Sequence, residues 1–264
     1  MRRNTFFVGI MVCLFSATSP GMAERTLRMI APDIPPQIDD KGNGRIGDVV
    51  QAVLKKCGYY VEFTIVPFGR HWNDYRANKK YDGLATAEGN QVFPGFSTRP
   101  FIHLQDGAMV VVGERLNDIS NVKQLEGRRV ITFPEGGKIL GIESFVSTFA
   151  SFQQRSRRFD QIRPLLAGRA DVLLADGLIT AHFLNLLRDR AKLGQEPDVD
   201  PNKIVRFRKL FSRGPQRLYF REKQVADDFD RCADELNASG ETEALTKPYV
   251  DKYRDILGDQ YPYR

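Results

Sequence analysis

Asp176 ends a short apolar run, residues 172–175, that follows a helix-closing Gly168 and a turn at Asp171. A buried strand that ends in a carboxylate sits where open α/β sheets hold their ligands, and a carboxylate in a dry cleft favours a cation. The same aspartate would also cap a helix over residues 177–182. A second group of candidates lies in Pro134-Glu135-Gly136-Gly137-Lys138, a glycine turn before an apolar helical stretch. Gly136 and Gly137 would offer free backbone N–H groups to an anion, or would close an ordinary tight turn. The spacing before Lys138, with no Ser or Thr after it, is not that of a phosphate-binding loop. Arg70, on the loop after Pro67, and Arg99 each offer a guanidinium to a cleft or to solvent. Phe68, Trp72 and Tyr75 would wall a cleft or pack in a core. His71, His103 and His182 are dispersed without metal-ligand spacing, and no Ser-His-Asp or Cys-His constellation can be argued from spacing. No metal and no cofactor is expected.

The elements that position these groups repeat. Residues 165–176 run from helix through Gly168 and Asp171 into a strand and Asp176, and residues 77–86 echo them, with Asp82 before a short apolar strand that ends near Thr86. Two copies of one device imply two similar lobes, each offering a strand end to a shared cleft. Along the rest of the chain strands alternate with helices, which predicts α/β architecture. Strands are expected over residues 27–30, 60–66, 108–112 and 217–220. Helices are expected over 48–57, 139–149, 180–193 and 226–237, with a largely helical 241–257.

The first 23 residues read as a secretory signal: Arg2 and Arg3, an apolar centre over residues 6–15, and small residues at Gly21 and Ala23. That centre is too short for the roughly 20 residues of a spanning helix. Removing 23 of the 264 residues leaves 241 and lowers the net charge from +6 to +4, since two arginines leave with them. The basic residues are scattered without a nucleic-acid motif, so the pI near 9.2 reads as mild basicity and no nucleic-acid partner is expected. Cys57 and Cys232 remain, in separate expected helices. Export permits a bridge between them, and sequence alone leaves it open against two buried thiols.

The pattern resembles family 3 periplasmic solute-binding proteins, the group that includes the amino-acid receptors of ABC importers. Ile34-Pro35-Pro36 is similar to the family's early proline motif. Lys80-Tyr81-Asp82-Gly83 and Phe96-Ser97-Thr98-Arg99-Pro100-Phe101 resemble two later motifs, and Leu125-Glu126-Gly127-Arg128-Arg129-Val130 resembles the start of its second lobe. Residues 167–176 and 236–249 look like its later segments, so the likeness spans nearly the whole chain after the signal.

The resemblance implies a type II periplasmic-binding-protein fold: two α/β lobes joined by two hinge strands near residues 108–112 and 217–220. Lobe one would be residues 24–112 with 214–264, and lobe two residues 113–213. Asp176 then corresponds to the carboxylate that receives a ligand ammonium, and Gly136 and Gly137 to the turn facing the ligand's anionic end. Thr86 begins the segment where the family's arginine clamps an α-carboxylate. Here Thr86-Ala87 is followed by Glu88-Gly89-Asn90-Gln91 with no arginine, which argues against a standard α-amino acid and leaves Arg70 or Arg99 as substitutes. The implied function is capture of a small polar solute and its delivery to an inner-membrane ABC permease, by a non-catalytic periplasmic monomer not inserted in the membrane. The alternatives are an accessory or sensor protein of the same fold, or a cyclohexadienyl-dehydratase-like enzyme with Glu88 as its acid.

Overall fold

The computed structural model describes residues 25–88, 91–113, 116 and 118–264, and the expected signal segment lies outside the described residues. The first sheet is built from β1 (Arg25–Asp33), β2 (Tyr59–Pro67), β3 (Gly83–Glu88), β4 (Phe96–Ser97), β5 (Ile102–Leu104) and β11 (Gly214–Phe220). Its order is β2-β1-β3-β11-β4, with β5 also on β11. β1 runs parallel to β2 and β3, while β11 runs antiparallel to β3. Helices cover both faces, so these strands are apolar on both sides. Leu27, Met29 and Ala31 pack under α1 (Arg45–Lys56) and α6 (Lys223–Ala238). Ile30 and Leu84 face the opposite way, with Tyr75 of α2 (Arg70–Ala77).

The second sheet has the order β10-β6-β9-β7-β8, from β6 (Asp106–Val111), β7 (Arg129–Thr132), β8 (Ser151–Gln154), β9 (Val172–Asp176) and β10 (Val205–Lys209). One face packs on α4 (Arg158–Leu166) and α5 (Gly177–Lys192), the other on Leu125, Ile142 and Phe149. Two α/β lobes are therefore present, as expected. The echo between them is physical. Asp82 accepts the backbone N–H of Arg28 at 2.8 Å, and Asp171 accepts that of Arg129 at 2.7 Å. Each aspartate thus pins the strand that follows it to the parallel strand beside it, and each also meets that arginine's side chain.

Strand pairing corrects the expected boundaries. β6 lies wholly in the second sheet, beside β9 and β10, and β11 wholly in the first. Neither is a hinge strand. The chain crosses at Gln105 and returns through residues 210–213, so the first part of lobe one ends before residue 106 rather than at 112. The tail is shared as well. α7 (Glu241–Asp251) packs on α1 and α6, but α8 (Arg254–Leu257) packs on β10 and α5, and Tyr253 and Tyr261 join the second core. The helix expected over 139–149 is broken: α3 (Gly136–Ile139) stops before Gly141, whose φ of 66° is left-handed, and a 3₁₀ helix follows at Glu143–Thr148. β4, β5, β8 and β10 fall outside the expected strands, being short or charged.

No helix among the described residues is long and apolar enough to cross a membrane. Cys57, at the end of α1, is bridged to Cys232 on α6, with Cα atoms 6.0 Å apart. The bridge closes a sequence separation of 175 residues, so it constrains the unfolded chain strongly. Cys232→Ser should lower the unfolding free energy by about 2–4 kcal/mol in non-reducing urea titrations. Two free thiols in the native protein would refute the bridge.

Candidate functional site

The carboxyl ends of both sheets meet at the crossing. Asp33 ends β1 and Glu88 ends β3, while β11 starts on the same edge, with Gln216 opposite Glu88. In the second lobe Asp106 opens β6 directly opposite Asp176, which ends β9. Arg158 opens α4, just beyond the end of β8. The ends of parallel strands are where α/β sheets bind ligands, because no helix covers the sheet there.

Asp176 is 5 % exposed and its oxygens are committed. Its side chain caps α5 by accepting from Ile179 N at 2.9 Å. It also accepts the Gln105 backbone N–H at 3.1 Å and the Tyr261 hydroxyl at 2.7 Å, with Gln37 Nε2 at 3.5 Å. Behind it lies Arg45, fully buried at the start of α1. Arg45 donates to Gln37 Oε1 and to the carbonyls of His103, Pro262 and Tyr263, at 3.0 to 3.2 Å. A directed chain results: Arg45 donates to Gln37, Gln37 to Tyr261, and Tyr261 to Asp176. Burial pushes the Asp176 pKa up, against its hydrogen bonds and the charge of Arg45, and pushes the Arg45 pKa down, against the charges of Tyr261 and Asp176. The ammonium contact expected of Asp176 is therefore taken by protein donors, and the residue works as a helix cap and interlobe anchor.

A second charged group faces the opening. Asp33 is exposed, whereas Glu88, Asp106 and Arg158 keep only part of their surface in contact with water. They act on one another across the lobes: Arg158 on Asp33, and Glu88 on Asp106. Burial, then the charges of Asp176 and Glu88, drives the Asp106 pKa well up. Burial and the Asp176 charge raise Glu88 to about 7, against a hydrogen bond from Gln216. Burial lowers Arg158 against the pull of Asp176, Asp106 and Asp33. Among the described residues the side chains of Asp33, Asp106 and Arg158 make no hydrogen bond or close ion pair.

The other expected site residues lie apart from this group or serve the fold. Arg99 reaches away to Asp230 and Asp234 of α6, and Arg70 is exposed beside Asp74 within its own helix. Neither replaces the missing clamp, because nearer carboxylates hold both. Gly136 donates its N–H to Phe133 O, and a Cβ on it would run into Thr132 Oγ1, so close packing accounts for this glycine. Gly137 is buried against Phe152. Thr86 is buried with φ 60°, a strained value for a β-branched residue. Trp72 Nε1 holds its carbonyl at 3.0 Å, and His71, whose burial pushes its pKa down to about 3, lies behind its hydroxyl. Trp72, Tyr75 and Phe93 pack together beneath β3, as core rather than as a cleft wall.

Sequence reasoning missed Asp33, Asp106, Arg158, Gln37 and Arg45. Asp33 and Asp106 had a usable signal, each being a carboxylate at one end of an apolar run. Arg158 lay in a polar, basic stretch with nothing to single it out.

No protein-family model matches the chain, and no curated protein matches it in sequence. Solved structures do match. A histidine kinase sensor domain with similarity to periplasmic binding proteins aligns at TM-score 0.63 and 14 % identity, over 85 % of this chain and 96 % of that one. An ancestral arginine-binding protein bound to glutamine aligns at 0.62 and 17 %, over 85 % and 97 %. An arginine transport periplasmic binding protein from Legionella pneumophila aligns at 0.62 and 14 %, over 85 % and 99 %. The chain thus has the fold of periplasmic binding proteins.

Two outcomes test the site. Tyr261→Phe removes a donor from a buried carboxylate and should lower the unfolding free energy by about 1.5–3 kcal/mol. A change below about 0.5 kcal/mol would show that Asp176 does not need this hydroxyl. Glu88 keeps its proton in the folded chain to about pH 7 and loses it near 4.5 otherwise. The folded state then binds more protons between those values, so Glu88 lowers stability as pH rises through that window and adds no slope above it. Glu88→Gln should flatten this part of the stability curve, and an unchanged slope would refute the assignment.

Proposed function

We propose that this protein is a periplasmic solute-binding protein that closes two lobes on a small polar solute and delivers it to an ABC-type permease, without chemistry of its own. The observation that carries this reading is the set of charges facing the opening from both lobes, Asp33 and Glu88 on one side and Asp106 and Arg158 on the other. Unpaired charges on facing edges gain most from a solute that touches both, and such a solute binds the closed state better than the open one. Moving the lobes from 1:99 to 99:1 closed needs roughly 5.5 kcal/mol of differential binding. The arginine- and glutamine-bound relatives of this fold support a solute of that size and polarity. The likeness to a histidine kinase sensor domain supports a second reading, in which the same closure signals to a partner protein.

Thermal-shift screening against amino acids, amines, sugars and organic acids should find a stabilising solute, worth about 2.7 kcal/mol at a hundred times its Kd. Small-angle scattering should show the radius of gyration fall on binding. A strain lacking the gene should lose high-affinity uptake of that solute. Stabilisation with unchanged uptake would favour the sensor reading, and no stabilising solute at millimolar concentration would overturn both.

A further inference from the structure

The facing charges do not balance. Asp176 is matched by the buried Arg45 behind it, and the two act on each other directly. The opening then holds three carboxylates, Asp33, Glu88 and Asp106, against one guanidinium, Arg158, which leaves two formal negative charges when all are ionised. Arg158 is a single guanidinium drawn by the charges of Asp176, Asp106 and Asp33, and a ligand anion held on it would still face the carboxylates of both lobes. The other arginines considered as clamps, Arg70 and Arg99, are held by acids elsewhere.

A second, independent feature has the same sign. Gln105 and Gln216 are both fully buried, one preceding Asp106 and the other paired across from Glu88. The Oε1 of each lacks a donor. Gln105 Nε2 donates to the carbonyls of Asp106 and Phe211, which fixes its amide orientation, and Gln216 Nε2 lies 3.4 Å from the carbonyl of Gly214. The unfilled atoms are thus acceptors, and buried acceptors are completed by N–H or O–H donors, of which an ammonium or guanidinium end supplies several. A ligand carboxylate, which only accepts, completes neither glutamine oxygen and meets more carboxyl groups than guanidinium groups.

Resting on the solute-binding reading, we infer that the solute is a small organic dication that carries no carboxylate, one cationic end taken by Asp33 and Glu88 and the other by Asp106. Two positive ends cancel the two uncompensated charges. An α-amino acid brings no net charge, and a basic one cancels only half. One end on each lobe also explains how binding selects the closed state. Burial, then the charge of Asp176, raises both Glu88 and Asp106, and a dication bound between them should lower both.

The test compares ligands that differ by a single carboxylate: cadaverine with L-lysine, and agmatine with L-arginine, by calorimetry on the full-length mature protein. Cadaverine or agmatine should bind at least tenfold tighter than its amino-acid counterpart, and Asp106→Asn should weaken that diamine at least tenfold while the far-ultraviolet spectrum stays native. L-Lysine or L-arginine binding as tightly as, or tighter than, its decarboxylated partner would overturn the dication and leave the solute-binding reading standing. Binding of only a neutral or anionic solute from the wider screen would do the same. If none of the four ligands and nothing in the wider screen binds, the solute-binding reading falls and this inference falls with it.

Discussion

The buried guanidinium of Arg45 is the constraint on which the arrangement of the two lobes depends. A charge taken out of water is tolerated only when its donors are filled and a counter-charge lies near. Arg45 meets that condition with acceptors from three places: Gln37 before α1, His103 next to the crossing, and Pro262 and Tyr263 in the tail. Its ring neighbour Tyr261, 5.3 Å from the guanidinium, carries the hydrogen-bond chain on to Asp176 at the head of α5. The first helix of one lobe, the connection, the tail and a helix cap of the other lobe are therefore held by one network. The tail beyond residue 250 belongs to both lobes for this reason.

Asp176 and Asp106 show how little separates a structural acid from a candidate binding acid. They face each other across adjacent strands, and burial raises both. Asp176 has its helix cap, a backbone N–H and a tyrosine hydroxyl, while Asp106 has no donor among the described residues. The difference lies in what the neighbouring elements bring. α5 starts immediately after Asp176 and supplies its N–H groups, whereas Asp106 follows the crossing, where no helix begins.

Much of the architecture was legible in local pattern. The Asp82 and Asp171 devices were visible because a parallel strand pair needs its entering end pinned, and an aspartate beside the neighbouring backbone N–H does this within a few residues. The expectation of an α/β fold with two lobes followed from that repeat and from the alternation of strands and helices. The short strands β4, β5 and β10 were hidden because their partners are distant in sequence and their own composition is mixed. For the same reason the crossing was misplaced: the apolar run of β6 reads as a strand in either sheet, and only pairing with β9 and β10 assigns it to the second.

Spacing and residue type within single elements were enough for the fold class, the two related lobes, the absence of an arginine after Thr86 and the strand-end position of Asp176. Which charges are satisfied is a different matter, decided only once distant elements pack together. Packing placed Tyr261 from the tail on Asp176, α6 acids on Arg99, and Arg158 opposite Asp33, Asp106 and Asp176. Whether a carboxylate is a cap or an open site is set by partners as far as 139 residues away, and no local pattern encodes a distant donor.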